Sequence, residues 1–428
     1  MTQTLKNTER LEVVDALRGF ALLAIVFLHN LEHFNLYHIP DNLPLWLQTL
    51  DKYVWDILFF LFAGKAYATF SLLFGFSFFI QFHNAEKRGI DFRGRFAWRM
   101  CLLFLFAQLH ALFYNGDILV LYAVVGFALI PVCKLKTKTI FVIALLLLFQ
   151  PYEWGRAIYA MINPDYIAIT DRCVPYAEKA LNVAAHGTFL ETLYSNITDG
   201  QLYSNIWQVE NGRLFQAAAL FMFGMLLGRQ WCFVKSHESI RFWKRVLIIS
   251  SLTFLPLYCL KTFVPGLISN PSIQIPYNIA VSSYANFAFM GILVSLFTLL
   301  WFKKENGYSW QSLLIPYGRM SLTNYISQSI LGVCIYYGFG LALYTQTGAT
   351  ECLLIALAIF SIQLAFSRWW LARHKQGPFE YIWKKGTWIG NRKKYNYGLR
   401  SEFYPKILKK NGSVAKFSFY YLPVTVRF

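Results

Sequence analysis

The chain has 428 residues, of which 56% are hydrophobic and only 14% charged, and this excess of apolar residues excludes an ordinary soluble protein. Its net charge of +18 is unevenly placed. With the N-terminus in the cytoplasm, 33 of the 40 Lys and Arg fall in inner segments, whereas the acidic residues divide 9 inside and 13 outside. This is the positive-inside pattern, so the basic character indicates contact with anionic lipid and not with nucleic acid.

Apolar stretches near the length that crosses a hydrocarbon core recur along the whole chain. Ten spans are predicted, at about 14–31, 66–83, 96–114, 117–133, 138–151, 213–230, 243–262, 279–302, 320–338 and 351–371. We therefore expect an all-α polytopic transmembrane bundle of about ten spans with cytoplasmic N- and C-termini. Residues 1–390 are predicted to form a single bundle, and 391–428 a basic cytoplasmic tail.

The first predicted span carries Arg18 and His29 with ten residues between them. Eleven helical steps return to the same face, about 16 Å further along the axis. Ionisable groups inside a span normally face a packed interior or a wet cavity. The pair therefore predicts a lined path from the inner surface towards a titratable group. Asp15 is placed to pair with Arg18 on one helical face. One interpretation is an ion pair that only fixes the depth of the helix in the membrane. The other is that Arg18 binds a phosphate or carboxylate that enters from the cytoplasm.

His29, Glu32 and His33 cluster at the outer end of the same span and match the H-x-x-E-H pattern of some zinc peptidases. No third ligand is evident, so no metal site is expected. A general-base role for His29 fits better, because imidazole titrates near neutrality. The alternative is a histidine held in a hydrogen-bond network at the helix end.

Outside the membrane, residues 32–65 are expected to hold an interfacial helix. His110 and Asp117 flank the outer turn between spans three and four, at the level of His29. Asp117 is placed either to orient an imidazole or to cap a helix start. The insertion 152–212 is too long for a simple connector and is expected to be a folded cap or lid.

Span nine opens with a polar stripe. Its members recur at helical spacing on one face and are Arg319, Thr323, Asn324 and Gln328. Hydrogen bonding between helices is one reading. The other is a substrate-binding seam in which Arg319 joins Arg18 at a cytoplasmic anion entry site. The basic tail after 372 is expected to lie against the inner leaflet; its basic residues include Lys384, Lys385, Arg392, Lys393, Lys394, Lys409 and Lys410.

Five ordered motifs resemble the YeiB-like bacterial membrane family, domain of unknown function 418 (DUF418). They are DALRGFALLAI, GKAYATFSLLFGFSF, GDILVLYAVVG, GRMSLTNYISQS and GPFEYIW, and the resemblance runs over nearly all of residues 10–385. In its first span that family is similar to the acyltransferase 3 superfamily, whose members carry a basic residue, ten positions and a histidine, here Arg18 and His29. Many YeiB-like proteins have Asn at the position of His29.

This resemblance implies a multi-pass protein of the bacterial inner membrane. It also implies transfer of an acyl group from cytoplasmic acyl-CoA, as donor substrate, to an envelope glycan or lipid on the far side. His29 would be the base, with Asp117 and His110 near it, and Arg18, Arg319, Asn324 and Gln328 along the donor path. No resident cofactor is expected. The alternatives are a transporter or flippase for a lipid-linked or anionic solute, and a non-catalytic envelope scaffold. The oligomeric state is left open, a homodimer included.

Overall fold

A computed structural model describes residues 11–40, 43–303 and 309–390. Every regular element in these ranges is a helix, which confirms the all-α class. The described residues up to Thr387 form one compact unit. The basic positions expected beyond residue 390 lie outside the described residues.

The first half of the chain begins with four long helices and continues with shorter ones. Its α-helices are α1 (Glu12–Leu28), α2 (Leu45–Phe62), α3 (Ala66–Glu86), α4 (Arg93–Ala111), α5 (Leu119–Gly126), α6 (Leu129–Val132), α7 (Thr137–Leu148), α8 (Pro151–Ile162), α9 (Val174–His186), α10 (Phe189–Ser195) and α11 (Gln201–Glu210). Two π-helical turns, His29–Phe34 and Asn196–Gly200, continue α1 and α10 without a break.

The second half contains the two longest helices, α13 and α14. Its α-helices are α12 (Arg213–Arg229), α13 (His237–Phe263), α14 (Pro271–Phe302), α15 (Ile315–Arg319), α16 (Ser321–Tyr336), α17 (Ala349–Leu371) and α18 (Pro378–Thr387). Short 3-10 turns follow α13, precede α15 and precede α17.

The ten predicted spans all coincide with helices, but the count of ten is not confirmed. Within the described ranges, four helical stretches are long and apolar enough to cross a membrane: Leu45–Glu86, His237–Leu267, Pro271–Phe302 and Ala349–Leu371. A fifth is reached if α7 and α8, bent by 44°, count as one span. The shortfall has physical causes. The 17 residues of α1 extend about 25 Å without their π-helical turn, and α4 carries three arginines near its start.

The helix α2 is separated from α3 by a short turn at residues 63–65, and the two together make up the apolar stretch Leu45–Glu86. An interfacial position for α2 stays a prediction. Near the start of α17, Asp51 accepts hydrogen bonds from the Thr350 amide at 2.7 Å and the Thr350 hydroxyl at 2.5 Å. This pairing fixes α2 beside α17.

The packed centre lies where α1, α3, α12 and α14 meet. Glycines allow the closest approaches. A Cβ on Gly224 would overlap the Leu72 carbonyl, and one on Gly75 would overlap the Phe221 carbonyl. These two contacts bring α3 and α12 together backbone to backbone.

The outer surface of the bundle is apolar. Along α13, Leu252 is 71% and Leu255 66% exposed, while on α17 Ile362 is 63% exposed. Buried positions, in contrast, include the charged residues Asp15 and Glu153. Apolar side chains outside and ionisable ones inside are compatible with a protein surrounded by lipid.

Candidate functional site

The inner end of α1 meets α3 and α15. Arg18 Nη1 donates to Asp15 Oδ1 at 2.9 Å, and Nη2 donates to the Ser77 hydroxyl on α3. Gly318 lies so close to α1 that a Cβ would overlap the Asp15 carbonyl oxygen. The neighbouring Arg319 donates to the Lys375 carbonyl at 3.0 Å. The two predicted anion-binding arginines therefore sit on segments that pack together.

Of the remaining residues in the polar stripe, Asn324 and Gln328 are fully buried in α16. The Asn324 amide donates to the Tyr317 carbonyl at 2.9 Å and the Ser367 hydroxyl at 3.0 Å. Its contacts are thus those of an interhelical hydrogen-bond network. Gln328 differs, because neither its amide nitrogen nor its oxygen has a hydrogen-bond partner among the described residues.

Towards the other end, a cavity of about 210 Å³ opens between α1, α3, α11, α12 and α16. Its lining is rich in aromatic and ionisable side chains: His29, Glu32, His33, Tyr37, Tyr67, Tyr203, Trp207, Gln208, Arg213 and Tyr325. Gly116 also lies in the lining and packs closely on Tyr114, since a Cβ there would overlap the Tyr114 hydroxyl. A mainly apolar cavity with a few convergent polar groups is the usual form of a ligand site.

His29 stands in the wall of this cavity, at the first residue of the π-helical turn. Its ring lies 5.3 Å from the Tyr114 ring and 6.2 Å from the Tyr325 ring, centroid to centroid. Its Nδ1 is buried and has no hydrogen-bond partner in the described part of the chain. The aromatic rings therefore hold the imidazole by packing, while its Nδ1 receives no hydrogen bond from these residues. Local π-helical geometry is frequent at functional sites.

Asp117 pairs with His110 and not with His29. His110 Nδ1 lies 3.0 Å from Asp117 Oδ1, and both side chains are almost completely buried. Asp117 also accepts a hydrogen bond from the Leu119 amide at 3.0 Å, so it caps the start of α5 as well. Tyr325 links the pair to the cavity, since its hydroxyl donates to Asp117 Oδ1 at 3.3 Å and its side chain lines the cavity.

Beside His29, Glu32 and His33 form a second ionisable pair on the cavity wall. His33 Nδ1 lies 3.2 Å from Glu32 Oε1. Within residues 11–40, 43–303 and 309–390, no group of three His, Cys, Asp or Glu side chains is arranged to hold a metal ion.

The cavity lined by His29 does not extend along α1 to Arg18, so the expected continuous path between the two is not seen. On α1 the cavity lining includes Ile25 and His29 but not Arg18, and Leu22 is fully buried between them. The closed stretch from Arg18 to Ile25 is about 10 Å, or two helical turns. On α16, however, the cavity reaches Tyr325, only four residues after the helix begins.

The insertion after α7 contributes part of the cavity wall through α11. Ser204 and Gln208 donate to the Asp117 carbonyl at 3.3 and 3.0 Å, which fixes α11 over the outer turn. Tyr203 lines the cavity, and burial raises the pKa of its phenol, so it stays protonated at neutral pH. Covering of the site by this segment was one expectation from its length.

Of the aromatic and polar lining side chains, sequence reasoning missed Tyr37, Tyr67, Tyr203, Trp207, Gln208, Arg213 and Tyr325. Tyr67 and Tyr325 lie inside the family motifs GKAYATFSLLFGFSF and GRMSLTNYISQS, which was the available signal. Trp207 and Arg213 carry no comparable signal, because their proximity depends on how α11 turns into α12.

The fold and this site define a class: a helical protein of membrane type with a mainly apolar, aromatic-lined cavity towards one end. The chain belongs to the YeiB-like DUF418 family. The family model described as "Protein of unknown function (DUF418)" matches residues 227–390. No solved structure matches the chain.

Curated relatives match nearly end to end. The "Uncharacterized protein YxaH" of Bacillus subtilis (strain 168) is 30% identical over 90% of this chain and 96% of its own length. The "Uncharacterized protein YeiB" of Escherichia coli (strain K12) is 27% identical over 89% of this chain and 96% of its own length. The family expected from the five motifs is thereby confirmed.

Proposed function

We propose that the chain is an acyltransferase of the bacterial inner membrane that transfers an acyl group from cytoplasmic acyl-CoA to an envelope glycan or lipid. The observation that supports this most is the place of His29. Its imidazole forms part of a cavity wall, and the cavity is large enough to admit a hydroxyl-bearing group. An imidazole next to a cavity, with a ring nitrogen that has no hydrogen-bond partner, fits the role of a general base.

The proposed step is acyl transfer with His29 as general base. The acceptor hydroxyl gives its proton to the imidazole while its oxygen attacks the thioester carbonyl. The new C–O bond forms, the C–S bond breaks, and the imidazolium returns the proton to the departing thiolate. The products are the acyl ester and free CoA. A histidine base contributes about 10²- to 10⁴-fold to such a rate.

Two further groups take supporting roles in this proposal. Tyr325, held by Asp117 and His110, positions one wall of the cavity next to His29. Arg18 and Arg319 hold the CoA phosphates at the inner end, since a guanidinium binds phosphate through two parallel hydrogen bonds. Because about two turns of α1 separate Arg18 from the cavity, donor binding requires α1 to move apart from a neighbouring helix.

The test measures transfer of radiolabelled acetyl from acetyl-CoA to envelope material in inverted membrane vesicles, where the cytoplasmic face is accessible. Wild type is compared with His29→Ala and His29→Asn. We expect both variants to lose about 10²-fold or more of the transfer rate. His186→Ala, at the exposed end of α9, is the matched control and keeps the wild-type rate.

Equal transfer by wild type and His29→Ala would overturn the role of His29. Solute flux in proteoliposomes without consumption of acyl-CoA would instead support a transporter. Loss of CoA binding in Arg18→Ala, with binding kept in His29→Asn, would separate donor binding from the chemical step.

A further inference from the structure

Arg213 begins α12 and lies at the edge of the cavity. Its guanidinium carbon is 4.0 Å from the centroid of the Tyr67 ring and 5.4 Å from that of Trp207. The two ring faces hold the guanidinium in place before any ligand binds. Binding of a ligand to Arg213 therefore costs little further side-chain freedom. The side chain is therefore pre-positioned rather than freely mobile.

Arg213 differs from the other two arginines of the outer segments. Arg156 pairs with Glu153 at 3.0 Å, and Arg172 pairs with Glu210 at 2.9 Å. In the described part of the chain no carboxylate oxygen lies within 4.0 Å of the Arg213 guanidinium. Its Nη1 is buried and has no hydrogen-bond partner there. A buried donor without an acceptor costs free energy, and a ligand that supplies an acceptor in the cavity would remove that cost.

We infer that Arg213 is an anion-binding residue of the cavity and that the ligand carries a phosphate or carboxylate next to a hydroxyl. The guanidinium fork matches the geometry of these anions, and Tyr67 and Trp207 add flat apolar faces beside it. The Gln208 side chain, also on the lining, offers an amide oxygen with no partner in the described ranges. This oxygen is an acceptor for a ligand hydroxyl.

This inference rests on the proposed function in one respect, because it specifies the acceptor as an anionic hydroxyl compound. Two sources supply that chemistry: a soluble or glycan-linked polyol phosphate or uronate, and an anionic lipid headgroup. In both cases Arg213 holds the anion while a hydroxyl of the same molecule reaches towards His29. The binding itself requires no catalysis.

The experiment measures binding to purified protein in phosphatidylcholine nanodiscs. Equilibrium dialysis compares sn-glycerol 3-phosphate with glycerol, and a second arm measures the thermal shift when phosphatidylglycerol replaces part of the phosphatidylcholine. Wild type should prefer the phosphate over glycerol by about tenfold or more, or should be stabilised by phosphatidylglycerol. The first result assigns a soluble or glycan source, and the second a lipid headgroup.

Arg213→Gln should lose about tenfold of the preferred interaction, whereas Arg172→Gln, which removes a paired outer arginine, should keep it. The wild-type comparison of charged and neutral probe stands even if Arg213→Gln fails to fold. No preference for the anion in either arm, or equal binding by Arg213→Gln and wild type, would overturn the assignment.

His29→Asn separates this inference from the proposed function. If it abolishes transfer and keeps anion binding, both hold. Anion binding without detectable transfer in wild type supports the Arg213 site and counts against the acyltransferase. Transfer to neutral acceptors that is unchanged in Arg213→Gln overturns the anion site and leaves the acyltransferase standing.

Discussion

Asp117 and His110 form the most deeply buried ionisable pair near the cavity, and their separation of 3.0 Å sets a clear expectation. Asp117→Asn keeps the shape of the side chain but removes the charge that faces the imidazole. We expect the free energy of unfolding to fall by about 1–3 kcal/mol, since a buried group loses a charged partner. Thermal unfolding in detergent micelles, followed by circular dichroism, measures the change.

The matched control is Asp171→Asn at an exposed position, where the backbone φ of 57° suits Asn as well as Asp. It should leave the melting temperature unchanged. If Asp117→Asn melts at the wild-type temperature too, the buried pair makes no net contribution to stability.

For single residues, spacing along the chain brought the right side chains together but did not give their partners. His29 and His110 both pack against the Tyr114 ring, and Asp117 lies beside His110. Which histidine Asp117 faces depends on how the helices pack side by side, and spacing along a single helix does not encode that packing. The contacts of Arg213 with aromatic rings could not be predicted from the sequence for the same reason.

At the scale of helices, the α3–α12 contact provides a second prediction. Gly224→Ala puts a methyl group where the Leu72 carbonyl oxygen lies, and a backbone atom has little freedom to move away. We expect a loss of about 1–3 kcal/mol in the free energy of unfolding. The melting temperature in detergent is the readout.

Gly155→Ala serves as its control, because a Cβ at that exposed helical position meets nothing within 4 Å. Alanine there should be neutral or slightly stabilising, as alanine favours helix more than glycine does. Equal melting temperatures for the two variants would show that α3 and α12 are not in backbone contact.

A third prediction concerns α10, which begins with a reciprocal cap. The Glu191 carboxylate accepts a hydrogen bond from the Thr188 amide at 2.7 Å, and this hydrogen bond lowers the pKa of Glu191 below its ordinary value of 4.5. The carboxylate therefore stabilises the folded state above that pH, and the stabilisation is lost as the pH falls through the lowered pKa. Thr188→Ala should lower the melting temperature at pH 7 and weaken its decline towards pH 3. Melting curves that remain parallel over this range would argue against the cap.

Helix positions were predictable because apolar runs of this length have few alternatives, and each predicted span coincides with a helix. Local helix geometry was not predictable. The π-helical turn after α1 contacts α16 and α17, which are distant in sequence. The packing of α11 over the outer turn is likewise set by tertiary hydrogen bonds to Asp117.

For the molecule as a whole, the charge distribution predicts which loops face the cytoplasm. Lys87→Cys, in the turn after α3, should react with a membrane-impermeant maleimide only after cells are opened. Asp199→Cys, in the turn between α10 and α11, should react in intact cells. A mass-tag shift relative to the parent protein reports each reaction, and equal labelling of both sites in intact cells would contradict the predicted topology.

The last described helix has a consequence for the cavity. Glu380 of α18 accepts hydrogen bonds from the Leu322 and Thr323 amides at 2.7 and 3.1 Å, and Trp383 stacks on Arg99 of α4 at 3.5 Å. Tyr325 follows one turn later on the same rigid rod, α16. Thermodynamic linkage is reciprocal, so a ligand that shifts α16 when it binds against Tyr325 would change the docking of α18 by the same free energy. Docking of α18 would then report whether the cavity is occupied.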